Sequence, residues 1–167
     1  MSPLMRSLGG VLPTVELVNV SKRFGRIIAA NNVNLRIEDR EYVSVVGPSG
    51  CGKTTALRII AGLVKPDEGK VLIDGVDVSN VPPEERGIGF VFQNYALFPH
   101  MTVWENVTCG PWVRGWDERK MNEVAREMLN LVNLSGREDA YPKELSGGMQ
   151  QRVALSRALA TETRLLL

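Results

Sequence analysis

Two short glycine-rich segments carry residues whose types and spacing suit chemistry on phosphate. The first runs Gly47-Pro48-Ser49-Gly50-Cys51-Gly52-Lys53-Thr54. Glycines at 47, 50 and 52 let the backbone turn its N–H groups inward around an anion. A lysine and a hydroxyl residue follow at once. That is the full pattern of a phosphate-binding loop, in which Lys53 bridges the β- and γ-phosphates of a nucleotide and the Thr54 hydroxyl binds Mg²⁺. The second segment is Leu145-Ser146-Gly147-Gly148-Met149. Ser146 supplies a hydroxyl, and the two glycines allow close backbone approach to an anion at a helix start. The first loop alone leaves kinases, GTPases and many ATPases open.

A phosphate loop needs a strand before it and a helix after it. Residues 42–46 are β-rich and run straight into Gly47, and residues 54–63 have helical spacing with Arg58 as the only charge, which predicts a buried helix. Upstream, residues 15–20 and 33–37 alternate apolar and polar side chains as strands do, with a turn over 21–25. Downstream, 66–69 breaks the helix, and 71–74 and 88–92 read as strands either side of the Pro82-Pro83 loop. A different region begins at Thr102 and is interrupted at Gly110, Pro111 and Gly115. Over 118–132, Met121, Val124, Ala125, Met128, Leu129 and Val132 keep an i, i+3, i+4, i+7 rhythm, an amphipathic helix. Residues 136–142 form a loop, and Ser146 is placed to cap a helix running to about Ala160. Residues 165–167 open a buried strand. Mixed β first, then a βαβ unit, then helices and a strand, predicts an α/β fold.

With 167 residues the chain is long enough for one domain with a core. A net charge of +1 leaves no electrostatic footprint for nucleic acid. Two cysteines, Cys51 and Cys109, are too few for a disulfide scaffold and point to a reduced, cytosolic setting. No run approaches the ~18 apolar residues that cross a bilayer. Residues 1–13 carry one arginine and no sustained apolar stretch, so they read as a flexible tail rather than a secretory signal.

Residues 145–160, LSGGMQQRVALSRALA, resemble the signature helix of ABC-type ATPases. Residues 91–107, VFQNYALFPHMTVWENV, resemble the glutamine-loop region of ABC importer subunits, and 62–78, GLVKPDEGKVLIDGVDV, match the family's linker between the two. The resemblance covers 14–167. It implies one nucleotide-binding domain: a P-loop NTPase core with a parallel sheet, an N-terminal antiparallel β portion and a helical insert at about 102–145. It implies ATP and Mg²⁺ as cofactors, with Gly47, Pro48, Ser49, Gly50, Cys51, Gly52, Lys53, Thr54 and Thr55 around the phosphates. Phe24 stands where the family stacks an aromatic, more often tyrosine, on adenine; a core aromatic at a turn is the competing reading. Ser146, Gly147, Gly148 and Met149 would hold the γ-phosphate of an ATP bound by another subunit, with Met149 replacing the commoner glutamine. Gln93 would reach Mg²⁺ or the attacking water and link the site to a membrane partner. Lys53 and Gln93 are thus the expected catalytic residues, Thr54 and Gln93 the expected metal-binding ones. His100 does not sit where the family has its switch histidine. Asp74, Asp77 and Glu105 read as turn or surface carboxylates.

The partners implied are a second nucleotide-binding subunit, as a homodimer, transmembrane permease subunits and, indirectly, a solute-binding protein, with no nucleic acid. The implied location is cytoplasmic, on the inner face of the cell membrane. The stretch at 91–107 leans toward polyamine or iron importers and Met149 toward nitrate or sulfonate types, so the solute stays open. Two readings of other classes also stand: a catalytically inactive ATP-binding module, and a soluble ABC ATPase without a membrane partner. The family places a strand ending in Asp-Glu soon after the signature helix. Residues 164–167 read as its opening, about 1–2 residues short of the aspartate that holds Mg²⁺. The expectation is therefore a truncated domain that alone hydrolyses ATP poorly and exposes an apolar sheet edge.

Overall fold

The computed structural model describes residues 14–167; the tail expected at 1–13 lies outside them. The chain divides into two compact units, one ending at Ile88 and one spanning Gly89–Leu166.

The first unit is built on a four-stranded antiparallel sheet of order β2-β1-β3-β4, from β1 (Val15–Phe24), β2 (Ile27–Ile37), β3 (Glu68–Ile73) and β4 (Val76–Asp77). This is the antiparallel β portion expected near the N-terminus. Val15, Leu17 and Val20 of β1 are buried, with Val71 of β3. The spacing jumps from two to three between Leu17 and Val20, because β1 carries an extra residue there: its register against β3 passes from Val18↔Lys70 to Ser21↔Glu68, and Asn19 adopts φ 51°. The bulge lets β1 continue through the turn expected at 21–25. The actual turn is Gly25-Arg26, closing Phe24↔Ile27 with Gly25 at φ 59°. Gly69, at φ 85°, lies where a Cβ would run into the Asn19 carbonyl, so only glycine lets β3 approach the bulge.

Helix α1 (Lys53–Ile60) follows the phosphate loop and buries only Ile59 and Ile60. The strand expected at 42–46 is not formed. Tyr42 is 92% and Val46 91% exposed, and no described strand pairs with this segment. A strand is held by its neighbours' N–H and C=O groups, and without them β propensity does not make one. The parallel core sheet expected around the loop is accordingly not seen among the described residues.

The second unit is mainly helical. Helix α2 (Val103–Val113) starts with a reciprocal cap: Glu105 N–H donates to Thr102 Oγ1 (3.2 Å), and Thr102 N–H donates to a Glu105 carboxylate oxygen (2.7 Å). It runs through Gly110 and Pro111, where an interruption was expected. Val103, Val107 and Pro111 lie one turn apart and all are buried, so burial of one stripe outweighs the hydrogen bond that Pro111 cannot donate. Helix α3 (Glu118–Leu131) matches the expected amphipathic helix and buries Ala125, Met128 and Leu129. Helix α4 (Gly147–Leu159) starts at Ser146 as expected and buries Val153, Ala154, Ser156 and Ala158. The short strands β5 (Ile88–Gly89) and β6 (Leu165–Leu166) pair; β5 is shorter than the strand expected over 88–92.

Candidate nucleotide-binding site

In the first unit the loop 47–52 leads into the N-terminus of α1 and is exposed throughout except Gly52. Gly50 (φ 83°) and Gly52 (φ 92°) are left-handed, and a Cβ on Gly52 would collide with the Ala29 carbonyl oxygen. The loop therefore needs glycine at 52 both for its turn and for its seat against β2. Lys53 folds back over it. Its ammonium donates to the carbonyls of Gly47 and Pro48, each at 2.7 Å, and lies 3.4 Å from Cys51 Sγ. These are neutral acceptors at an exposed site, so an anion arriving there offers the ammonium a stronger, charge-assisted partner. Thr54 is exposed and Thr55 half-buried in the first turn of α1. A cavity of about 460 Å³ opens beside the loop, lined by Gly50, Gly52, Lys53 and Ala56 with Val33 and Val45.

The far end of α1 is fixed by a residue that sequence reasoning passed over. The buried Arg86 guanidinium donates to the carbonyls of Ile59 (2.9 Å), Ile60 (2.7 Å) and Val81 (2.9 Å). It satisfies acceptors that a helix C-terminus leaves open, and burial pulls its pKa down.

Phe24 lies at the tip of the β1–β2 hairpin and is 49% exposed, with Lys22 Nζ 5.5 Å from its ring centroid. That exposure disfavours the competing reading of Phe24 as a core aromatic.

In the second unit Ser146, Gly147 and Gly148 are exposed and Met149 half-buried at the start of α4. Ser146 Oγ accepts from Met149 N–H at 3.4 Å. A Cβ added to Gly147 or Gly148 would meet nothing within 4 Å. The fold therefore does not require these glycines for packing. Behind them α4 is tied down: Gln150 donates to Pro142 O (2.9 Å) and Arg152 to Val132 O (2.8 Å).

Gln93 is exposed, and the backbone just after it is strained. Tyr95 (φ 61°) and Ala96 (φ 46°) are consecutive non-glycine residues in the left-handed region. Arg157 of α4 holds that turn, donating to Ala96 O at 2.7 Å and Tyr95 O at 3.0 Å beneath the Phe98 ring. Asn106, fully buried, donates to Phe98, Met101 and Thr102 carbonyls and accepts from Phe98 N–H. No helix was set over Val103–Val113 from the residue pattern; the Thr-x-x-Glu spacing at 102–105 is the signal that could have found the one that positions Asn106. His100 is exposed, its ring 6.2 Å from that of Phe98. Asp77 accepts from Ser79 in a surface turn and Asp74 accepts from Thr14 N–H, as expected for turn carboxylates, while Glu105 serves as the α2 cap. A cavity of about 780 Å³ in the second unit, beside Trp104, Arg126 and Glu138, involves none of these residues.

A glycine-rich loop on a helix N-terminus and a second glycine-rich helix start, with Gln93 between them in the sequence, match the pattern of a nucleotide-binding cassette. The ABC transporter family model matches residues 30–167, and the chain belongs to that family. It is 51% identical over 153 residues to the spermidine/putrescine import ATP-binding protein PotA of Chromobacterium violaceum, covering 92% of this chain and 42% of that protein. It is 50% identical over 158 residues to the sulfate/thiosulfate import ATP-binding protein CysA of Pseudomonas syringae pv. tomato, covering 92% and 48%. The chain thus spans about half the length of these curated relatives. Among solved structures, it matches the dimeric ATP-binding cassette MJ0796 in a post-hydrolysis state bound to ADP and Pi, with TM-score 0.82 and 40% identity over 91% of this chain and 72% of that one. The α/β cassette fold is thereby established. Among the described residues no helix is long and apolar enough to cross a membrane.

Proposed function

We propose that the protein is the ATP-binding, ATP-hydrolysing subunit of an importer, working as a pair of copies on the cytoplasmic face of a membrane permease. The observation that carries this is the loop 47–52 wrapped around the Lys53 ammonium at an exposed helix start. The donor set fits a Mg²⁺–nucleotide: one ammonium with exchangeable neutral partners, and the Thr54 hydroxyl exposed one residue on. Lys53 leaves its carbonyl partners for the β- and γ-phosphates, with loop 47–52 and Thr55 around them. Thr54 and, by the family resemblance, Gln93 would hold Mg²⁺, which when bound would neutralise phosphate charge. Phe24 stacks on adenine. Ser146, Gly147, Gly148 and Met149 face the γ-phosphate of ATP on the other copy. The open space over Gly147 and Gly148 supports that reading, because the glycines leave room that nothing among the described residues fills.

Residues 14–167 are read as one nucleotide-binding domain with its helical portion at about 102–145. The relatives, both import ATP-binding proteins, support import over a soluble ATPase without a membrane partner. Their names differ in solute, polyamine against sulfate or thiosulfate, so the similarity singles out no one cargo; a solute-binding protein would enter only through the permease.

Calorimetric titration of ATP into the 167-residue chain, with and without Mg²⁺, tests the site. Binding that Mg²⁺ tightens and Lys53→Ala weakens by about 100-fold or more is expected. A folded chain that binds no ATP overturns the proposal.

A further inference from the structure

We propose that Asp67 is a positioning residue for adenine recognition, latching the hairpin tip that carries Phe24. The inference rests on the reading of Phe24 as the adenine-stacking residue. It starts from the mismatch between two strands. β1 runs to Phe24, but β3 begins at Glu68, opposite Ser21, so the last residues of β1 extend past their neighbour. β1 is also irregular here, with register shifts against β2 between Val20, Lys22 and Arg23. A hairpin end supported on one side only is the part of a sheet that frays.

Asp67 fills the missing side with its side chain. Its own N–H donates to Ser21 O at 2.9 Å, continuing the ladder by one residue. One carboxylate oxygen accepts from Arg23 N–H at 2.7 Å, the donor that β3 is too short to reach. The other accepts from Lys22 Nζ at 2.7 Å. Lys22 is thereby pinned, with its side chain only 15% exposed, and its ammonium stands 5.5 Å from the Phe24 centroid. One carboxylate thus fixes the backbone on the residue before Phe24 and places a cation against one face of the ring. A cation–π contact orients the ring and leaves its other face for a base. Asp67 touches neither base nor phosphate, so its effect should be confined to ligands that have a base.

The experiment compares ATP with inorganic tripolyphosphate, which carries the charge and lacks the base, in titrations of the full 167-residue chain. Asp67→Ala is expected to weaken ATP about three- to tenfold, a fraction of a full stacking interaction, and to leave tripolyphosphate unchanged. Asp67→Asn keeps an acceptor for the Arg23 N–H and loses the ion pair; it should fall between, and it carries the test if the alanine variant does not fold. In a Phe24→Ala background the Asp67 effect should vanish. Equal weakening of ATP and tripolyphosphate would overturn the inference, showing general loosening of the unit. Weakening by Phe24→Ala with no effect of either Asp67 variant would overturn the latch and leave Phe24 as the stacking residue. No effect of Phe24→Ala on ATP would remove the stacking reading, and the latch with it.

Discussion

The phosphate loop and the signature segment are both glycine-rich starts of helices, yet their glycines answer to different demands. At Gly52 the fold itself insists on glycine: the residue is left-handed and its missing Cβ makes room for the Ala29 carbonyl. At Gly147 and Gly148 the fold insists on nothing, since a side chain there would enter open space. The two ends also differ in support. α4 is tied by Gln150, Arg152 and Arg157 to three neighbouring segments, whereas the residues entering the phosphate loop, 42–46, pair with no described strand. A glycine that closes a turn can be explained within one molecule. A glycine facing empty space on a well-anchored helix has no such explanation among the described residues.

The sharpest way to break this contrast is substitution of the charged group at the first site. Lys53→Ala should lower ATP affinity by about 100-fold or more, the scale of losing a charge-assisted phosphate contact, while Ser146→Ala leaves affinity of the single chain unchanged; both are read by calorimetry. Next is stability, where the two glycines should move in opposite directions. Gly52→Ala should destabilise the fold by about 2 kcal/mol or more, from left-handed strain and the carbonyl clash. Gly148→Ala, in helical backbone with free space, should stabilise by about 0.5–1 kcal/mol while impairing ATP-driven pairing of chains. Denaturant melts and light scattering check the pair, and a destabilising Gly148→Ala would erase the distinction.

Arg157→Met should destabilise the second unit by about 1.5–3 kcal/mol, because two carbonyls of a strained turn lose a charged donor. Adding Ala96→Gly, which relieves one left-handed residue, should recover part of that loss; a strictly additive pair would mean the turn is not what Arg157 holds. The smallest effect separates the cysteines, one in each unit. Cys51 is exposed, and burial pushes the Cys109 thiol up, keeping it protonated. A thiol reagent near neutral pH should label Cys51 about tenfold faster, and ATP should slow that reaction alone. Mass spectrometry of the labelled peptides reads both rates.

Much of this was legible in the residues. The phosphate loop is contiguous, so its glycine spacing and the helix after it could be read directly, and Ser146 announced α4 as a capping residue does. The periodicity over 118–132 gave α3 to within a residue because one face of that helix is cleanly apolar. What was missed depends on partners distant in sequence. Residues 42–46 have strand composition, but pairing decides whether a strand forms. β1 outran its expected end because a bulge at Asn19 reset its alternation. Pro111 read as a stop, yet it falls on the buried stripe of a helix that starts at the Thr102–Glu105 cap. Arg86, Asn106 and Arg157 looked like ordinary polar residues; only the fold shows that they end helices and fasten loops. For the site residues, sequence supplied identities and structure supplied exposure and partners.

Arg86 has a consequence beyond fastening α1. That helix has eight residues and is about 12 Å long, so its two ends share one electric field. A helix attracts anions at its start and repels them from its end. With a buried guanidinium seated on the final carbonyls, the repelling pole is cancelled inside protein, where counter-ions cannot screen it. An approaching phosphate then meets the attracting pole with the opposing one neutralised. What remains at the phosphate end is the attraction of the helix start, with its counterweight about 12 Å away held by a residue outside the loop.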